Sequence, residues 1–476
     1  MGSSIANSPF RRSSNFQKIA DAFLQSGDLT FDRVLSGSLI ESIFQKHDGL
    51  FSQKGIYNTA VVLWAFLGQV LQDGKMAACQ AAVFAIIGYQ LIRDREVPTE
   101  DTGDYCRARA KLKEAALHEL ACHVAEETER QADSKWLFKG RHAKLVDGFT
   151  FTMPDTPENQ AEYPQPDGQE AGCGFPIARC VAIVSLATAC VTDLSIAPYT
   201  GKETGESALL RQLLGKFCPG DIAVMDRHYC SYMMIAFLLG VGTDVCCSKH
   251  YSRKTDFRRG RRLGKFDHII IWTRPRRPEW MDLETYQQIP KTIELREIRY
   301  SVYEPGFRTQ KMTVITSLTD PQAYSLEDIA ELYGFRWNIE LDIRSIKSNL
   351  NLDKVRCKSP EMVRRELWIT TLAYNLIRST AAAAASIHQC KPRQISFTAT
   401  CQMILASWSN LSTFYEDLSS KMLANLEATL LVAISRCTVA DRPGRIEPRV
   451  VKQRPKRYPY MTDTRENLKK KLIGKK

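Results

Sequence analysis

The sequence predicts an α/β fold: a mixed sheet at the centre of the chain, interrupted by a β-rich insertion and flanked by helical N- and C-terminal regions. Three observations predict it. Hydrophobic spacing is helical up to about residue 135, becomes strand-like at Lys144, and then alternates helix with strand. A dense basic run after residue 248, followed by three more strand patterns, splits that alternation. Long helical patterns return beyond Ser325. At 476 residues the chain is long enough for several domains, each with its own core.

In chain order, Asn15–Phe23, Tyr57–Leu71, Cys79–Leu91 and Asp104–Arg130 carry apolar residues at three-and-four spacing, with breaks at Asp48-Gly49, Asp73-Gly74 and the loop Pro98–Gly103. Gln80–Lys111 is long enough for a helix-turn-helix. Lys144–Met153, Ile177–Leu186 and Cys190–Pro198 read as strands. A helix at Glu206–Phe217 leads to a short apolar strand, Asp221–Asp226, then a helix at Ser231–Gly240 and a buried strand at Thr243–Cys247. Strand patterns at His268–Thr273, Ile293–Tyr303 and Lys311–Leu318 form the insertion. A Ser325-x-x-Asp328 capping box opens one long helix through Leu350. Helices follow at Glu361–Ala384 and Gln402–Leu431, and the Pro- and Lys/Arg-rich end from Asp441 reads as a loosely ordered tail. The expected division is 1–140, 141–248, 249–318, 319–388 and 389–476: helical region, first part of the core, basic insertion, second part of the core, helical region with basic tail.

The formal net charge is +12, and it is concentrated. Residues 249–277 and 441–476 each carry a net +9, so the rest of the chain is net −6. Two cationic stretches on an acidic chain suit a polyanionic partner. The start, MGSSIANSPFRRSSNF, lacks the apolar region of a secretory signal, and Ala81–Ile92 is too short to span a bilayer. A soluble, cytoplasmic chain with no membrane partner is therefore expected. No Cys-x-x-Cys occurs among the 14 cysteines, so paired zinc ligands are not expected. His118 and His123 lie five apart, about 140° around a helix, and cannot chelate one ion.

The chemistry concentrates in Glu331–Leu350. On an ideal helix with Tyr333 at the origin, Arg336 falls at about 300°, Glu340 at about 340°, Lys347 at about 320° and Arg344 at about 20°. One face thus holds an acid among cations and a phenol, where an ordinary amphipathic helix would bury an apolar stripe. Upstream, Asp147 lies inside one apolar strand and Asp226 at the exit of another. Two strand carboxylates and one on a late helix are the hard oxygen donors that Mg²⁺ accepts, with water and phosphate completing the shell. Two such ions clamp the attacking and leaving oxygens of a phosphoryl displacement.

The set Asp147-Gly148, Asp226-Arg227-His228-Tyr229 and Tyr333-x2-Arg336-x3-Glu340-x6-Lys347 closely resembles bacterial DDE transposases of the insertion-sequence-four type, whose hallmark is a Tyr-Arg-Glu-Lys motif. The likeness runs from about Lys144 to Thr380 and includes Lys358-Ser359-Pro360 before the Arg364–Ile377 helix; upstream it is loose, chiefly Tyr105–Leu112.

The resemblance implies an RNase H-like catalytic core interrupted by a β-rich insertion, which suits the 114 residues between Asp226 and Glu340. It implies that Asp147, Asp226 and Glu340 are the catalytic metal ligands for two Mg²⁺ ions, replaceable by Mn²⁺, with no organic cofactor. Tyr333, Arg336 and Lys347 would meet DNA phosphates, with Arg344 beside them. The partners would be double-stranded DNA, at transposon ends and target, and a second copy when DNA is bound, in a bacterial cytoplasm at the nucleoid. Relatives carry an arginine where this chain has Cys246-Cys247-Ser248-Lys249, so Lys249 or Arg253 would serve, and Arg258, Arg259, Arg261 and Arg262 would track the DNA backbone. Trp272 and Trp280 are candidates for stacking on a flipped base. Two other readings stay open: a catalytically silent DNA-binding descendant, and an RNase H-like nuclease without strand transfer.

Overall fold

In the computed structural model, residues 35–52, 55–72, 78–92, 94–170, 172–302, 310–414, 419–439 and 461–473 are described. Five helices come first: α1 (Gly37–Lys46), α2 (Thr59–Leu71), α3 (Cys79–Ile92), α4 (Gly103–Arg109) and α5 (Glu114–Arg130). Asn58 caps α2 by accepting the Val61 amide at 3.0 Å. That helix is apolar on all sides and almost wholly buried, as such a helix must be. The expected helix Asn15–Phe23 and the break at Asp73-Gly74 lie outside the described residues. The expected Asp104–Arg130 helix is two helices, α4 and α5. Ten residues separate α3 from α4, not the three or four of a helix-turn-helix, so that expectation fails.

The sheet begins at β1 (Ala143–Thr152), followed by a short helix α6 (Pro157–Glu162), β2 (Ile177–Ser185), β3 (Val191–Pro198), α7 (Glu206–Gln212), β4 (Ile222–Met225), α8 (Tyr232–Gly240) and β5 (Asp244–Ser248). Strands β1, β2 and β3 run antiparallel, while β4 and β5 lie parallel to β1 in the order β3-β2-β1-β4-β5. This mixed five-strand order is the RNase H-like arrangement expected of the core. Apolar residues of β1, β2, β4 and β5, including Val146, Ile183, Met225 and Val245, pack with Leu209 of α7 and Ile235 and Leu238 of α8. That apolar layer fixes the strand ends on which the site stands.

The insertion continues the same sheet. Strands β6 (Arg261–Gly264), β7 (Asp267–Thr273), β8 (Thr292–Val302) and β9 (Gln310–Thr316), with α9 (Leu283–Gln288) between β7 and β8, extend it to nine strands through the pairing of β9 with β5. β6 went unanticipated because its arginines hide any apolar alternation. The insertion is held by buried ions: Arg296, almost fully buried, donates to both carboxylate oxygens of Asp267, at 2.9 and 2.6 Å. Removing one member strands the other charge in the interior. Arg296→Ala is therefore expected to destabilise the protein by about 3 kcal/mol or more; a urea midpoint matching the parent would contradict it.

Helix α10 (Leu326–Gly334) opens on the predicted capping box, with Ser325 and Asp328 satisfying each other's amides at 3.1 and 2.8 Å. The expected single helix does not continue to Leu350. It breaks at Phe335-Arg336, resumes as α11 (Trp337–Arg344) and ends in a π-helical turn at Ser345–Asn349. The break is a tightened turn, with the Asn338 amide reaching back three residues to Phe335. Beyond lie α12 (Pro360–His388), α13 (Phe397–Phe414), α14 (Ser420–Ser435) and α15 (Arg465–Ile473). The predicted Gln402–Leu431 helix is thus two helices, and within the supposed tail α15 is helical; residues 440–460 lie outside the described residues.

Two compact units result. One comprises Met1–Arg130, Asn349–Asn351 and Arg364–Thr438; the other Gln131–Ser348, Leu352–Val363 and Val439–Lys476. From Arg364 onward α12 falls in the first of these units. Arg364 pairs with Glu114 at 2.9 Å, Asn375 donates to the Ala121 carbonyl, and Trp368 lies 4.1 Å from the His118 ring. Among the described residues no helix is long and apolar enough to cross a membrane.

Candidate active site

The site is built where the short strand β4 ends beside the middle of the parallel strand β1. Val146 of β1 lies opposite Met225 of β4, so Asp147 and Asp226 are the next residues along two adjacent chains. Such strands run roughly 4.8 Å apart, which brings two separate stretches of sequence to one place. Each carboxylate is oriented by backbone: Asp147 Oδ1 accepts the Gly148 amide at 2.8 Å, and Asp226 Oδ1 accepts the His228 amide at 2.7 Å, capping a one-turn helix at Arg227–Tyr229.

Helix α11 packs on β1 and brings the third acid. The Arg336 guanidinium donates to Glu340 Oε1 at 2.7 Å and lies 3.4 Å from Asp147 Oδ2. A cation of this protein thus bridges the strand acid and the helix acid. The acids that meet it offer only carboxylate oxygens, the hard donors that divalent Mg²⁺ or Mn²⁺ takes. The donor chemistry suits such ions.

Burial pushes the Asp147 carboxyl up to about 6; the nearby Asp226 and Glu206 charges push the same way, against the Gly148 amide and Arg336. Burial dominates because the strand interior hydrates the anion poorly.

The other predicted residues divide into those near the acids and those placed elsewhere. Lys347 extends along β1 and donates to the Thr150 carbonyl at 2.7 Å. The π-turn has moved it off the ideal-helix phase. Tyr333 is buried and hydrogen-bonded to Ser248 at the end of β5, and burial pushes its phenol up to about 12. Its hydroxyl faces the protein, not an exposed phosphate site. Arg344 is exposed on α11.

In the insertion, Lys249 corrects its sequence reading: its ammonium is buried and bonded to Glu297 at 2.7 Å, inside a network that includes His268. A buried, paired cation gives no surface contact. Arg258, Arg259, Arg261 and Arg262 are exposed, the first two beside Asp256 and the third 3.8 Å from Glu294. Lys254, Arg258, Arg259 and Arg261 border an open cavity of about 760 Å³ with Trp272 in its wall. Trp272 is buried and covered by Arg253 at 3.6 Å, and Trp280, 42% exposed, has Arg211 over its ring at 3.8 Å.

Two residues near the acids escaped the sequence reading. Trp337, next to Arg336 at the start of α11, is 59% exposed. Glu206, the first residue of α7, lies against Gly148. The signal for it was Gly148 itself: a glycine inside a strand marks a place where another group comes close.

The family model described as a transposase DDE domain matches residues 139–376. Over 319 residues the chain is 27% identical to the transposase InsG for insertion sequence element IS4 of Escherichia coli (strain K12), across 66% of this chain and 68% of that protein. A stretch of 64 residues is 41% identical to the transposase for insertion sequence element IS421 of Escherichia coli, 13% of this chain and 17% of that protein. Among solved structures, the piggyBac transposase synaptic complex with hairpin DNA, determined by cryo-EM, aligns with 97% of this chain and 90% of that one at 9% identity and a TM-score of 0.43.

Proposed function

The chain belongs to the transposase DDE domain family, and from that premise we propose that it is a metal-dependent transposase of the insertion-sequence-four type. It cuts DNA at the ends of a mobile element and joins the released 3′-hydroxyl to target DNA. The observation that carries this reading is the meeting of Asp147 on β1 with Glu340 on α11 around Arg336, one strand away from Asp226.

Asp147, Asp226 and Glu340 hold two divalent cations through carboxylate oxygens. Bound there, such ions supply a nucleophile at neutral pH and neutralise charge on the attacked phosphate and leaving oxygen. The remaining work falls to the chain. Arg336 and Lys347 set the register of the DNA backbone, Arg336 by turning from the acids toward a phosphate. Arg344 adds charge on the outer face of α11. Arg258, Arg259, Arg261 and Arg262 carry the flanking duplex, which phosphate contacts position without reading its sequence. Two DNA ends held for joining imply two copies of the chain on DNA.

The reading is tested by supplying the purified protein with DNA that bears the element's terminal repeats, together with Mg²⁺ or Mn²⁺. End cleavage and joined products are expected, and DNA bound but never cut would reject it. Changing Arg258, Arg259, Arg261 and Arg262 together to Ala is expected to flatten the salt dependence of binding by about 0.9 in log–log slope for each phosphate that these arginines neutralise. An unchanged slope would remove the insertion from the DNA interface.

A further inference from the structure

We infer that Glu206 is a positioning residue of this site, a fourth carboxylate that acts from behind β1 to raise the cation affinity of Asp147 and Asp226. The inference rests on the cation-dependent reading above and adds a residue to it.

Glu206 comes unusually close to the strand. A Cβ placed on Gly148 would lie 2.4 Å from Glu206 Cδ and 2.6 Å from its Oε1, so the carboxylate could not keep its present place beside a larger residue. With glycine next to Asp147 the carboxylate can lie directly against the strand, and a larger residue there would push it aside. Successive strand residues face opposite sides, so Asp147 points away from Glu206 while sharing a peptide unit with the residue it touches. Glu206 therefore acts on the site through the strand, not as a ligand alongside Asp147.

Its second contact reaches the other aspartate. The hydroxyl of Tyr229, fully buried, donates to Glu206 Oε2 at 3.2 Å. Tyr229 ends the one-turn helix that Asp226 caps. One carboxylate thus joins the strand of Asp147 to the turn of Asp226, the two pieces whose spacing sets the cation site. Bracing of this kind, one contact behind the ligands, typically governs metal affinity.

Charge supplies the remaining argument. Among the described residues the Glu206 carboxylate meets a hydroxyl and no basic side chain. Arg211, five residues along the same helix, is paired with Glu203 and lies over Trp280. Arg336 meets Asp147 and Glu340, while the charges of Asp226 and Glu206 both act on Asp147, so Glu206 adds negative charge beside an aspartate that already has an acidic neighbour. A helix start favours an acid here, but it does not explain why an acid is pressed against a strand already carrying one. Divalent cations on the far side of β1 do.

The test measures Mn²⁺ binding to the full-length, DNA-free protein by the electron paramagnetic resonance of free Mn²⁺ at pH 7.5. Glu206→Gln keeps the shape and still accepts the Tyr229 hydroxyl, so the melting temperature should hold while Mn²⁺ binding weakens roughly tenfold. Tyr229→Phe keeps the charge but frees the carboxylate and should weaken binding by a smaller factor. Wild-type Mn²⁺ affinity in Glu206→Gln, with binding abolished in Asp226→Asn, overturns the role of Glu206 and leaves the cation site standing. Wild-type affinity in Asp226→Asn overturns the cation reading itself. If Glu206→Gln melts early, the Tyr229→Phe affinity decides, and an unchanged value there overturns the inference.

Discussion

Glu340→Gln is expected to abolish end cleavage, by about 10³-fold or more, while terminal-repeat DNA stays bound. The side chain keeps its size and loses the charge that holds a divalent cation opposite Asp147. Loss of cation-assisted chemistry removes at least about 4 kcal/mol of barrier lowering, which corresponds to that factor. Binding should persist or tighten, because the change removes a negative charge facing a polyanion and leaves Arg336 with a neutral acceptor in place of its 2.7 Å ion pair with Glu340. Asp226→Asn should behave alike, since its carboxylate stands one strand over. Gel separation of labelled terminal-repeat DNA from its products reads both quantities together. Cleavage persisting in either variant would show that these acids do not hold the cation.

Asp147 should give the protein an acid limb near pH 6, well above an ordinary aspartate. Its carboxyl is pushed up to about 6 by burial. Cation binding needs the anion, so Mn²⁺ affinity of the DNA-free protein should hold above pH 6 and fall as the pH drops through it. The stability effect has the opposite sign. Between pH 4 and 6 the folded protein holds a proton at Asp147 that the unfolded chain has released, so stability falls as pH rises across that window. Above pH 6 the buried charge remains a standing penalty of at most about 3 kcal/mol. Asp147→Asn should therefore stabilise the DNA-free protein at pH 7.5 while destroying its activity, and the gap should shrink as pH falls from 6 to 4. Urea titrations at pH 4.5 and 7.5 measure it; a less stable Asp147→Asn at both would mean that the Arg336 contact outweighs burial. Gain of stability on loss of function is the usual mark of a strained active site.

Much of the core was legible because its elements advertise themselves locally. Strands β1 to β5 are short apolar runs between turn residues, and each was anticipated to within about two residues of its observed ends. Asp147 and Asp226 stood out for the same reason, since a carboxylate in or just after an apolar strand breaks the pattern, and Glu340 stood out as an acid among cations on one helical face. Less was legible wherever the outcome depended on packing. The helix expected from Ser325 to Leu350 has uninterrupted helical spacing, yet it breaks at Phe335-Arg336 and loosens into a π-turn. Lys249 reads as one more member of a cationic run, and only the fold brings Glu297, 48 residues away, to bury it. Glu206 looks like any acid at a helix start until β1 is laid beside it.

The sequence by itself therefore determined the class of fold and the order of its strands along the chain, and it marked the three acids as candidates, since periodicity and a charge that breaks a local pattern are properties of neighbouring residues. Only the tertiary structure decided which cations face outward, how Arg336 bridges Asp147 and Glu340, and that Glu206 stands behind the strand. Those facts join residues far apart in the chain. Their geometry is set by sheet pairing and burial, which no local pattern encodes.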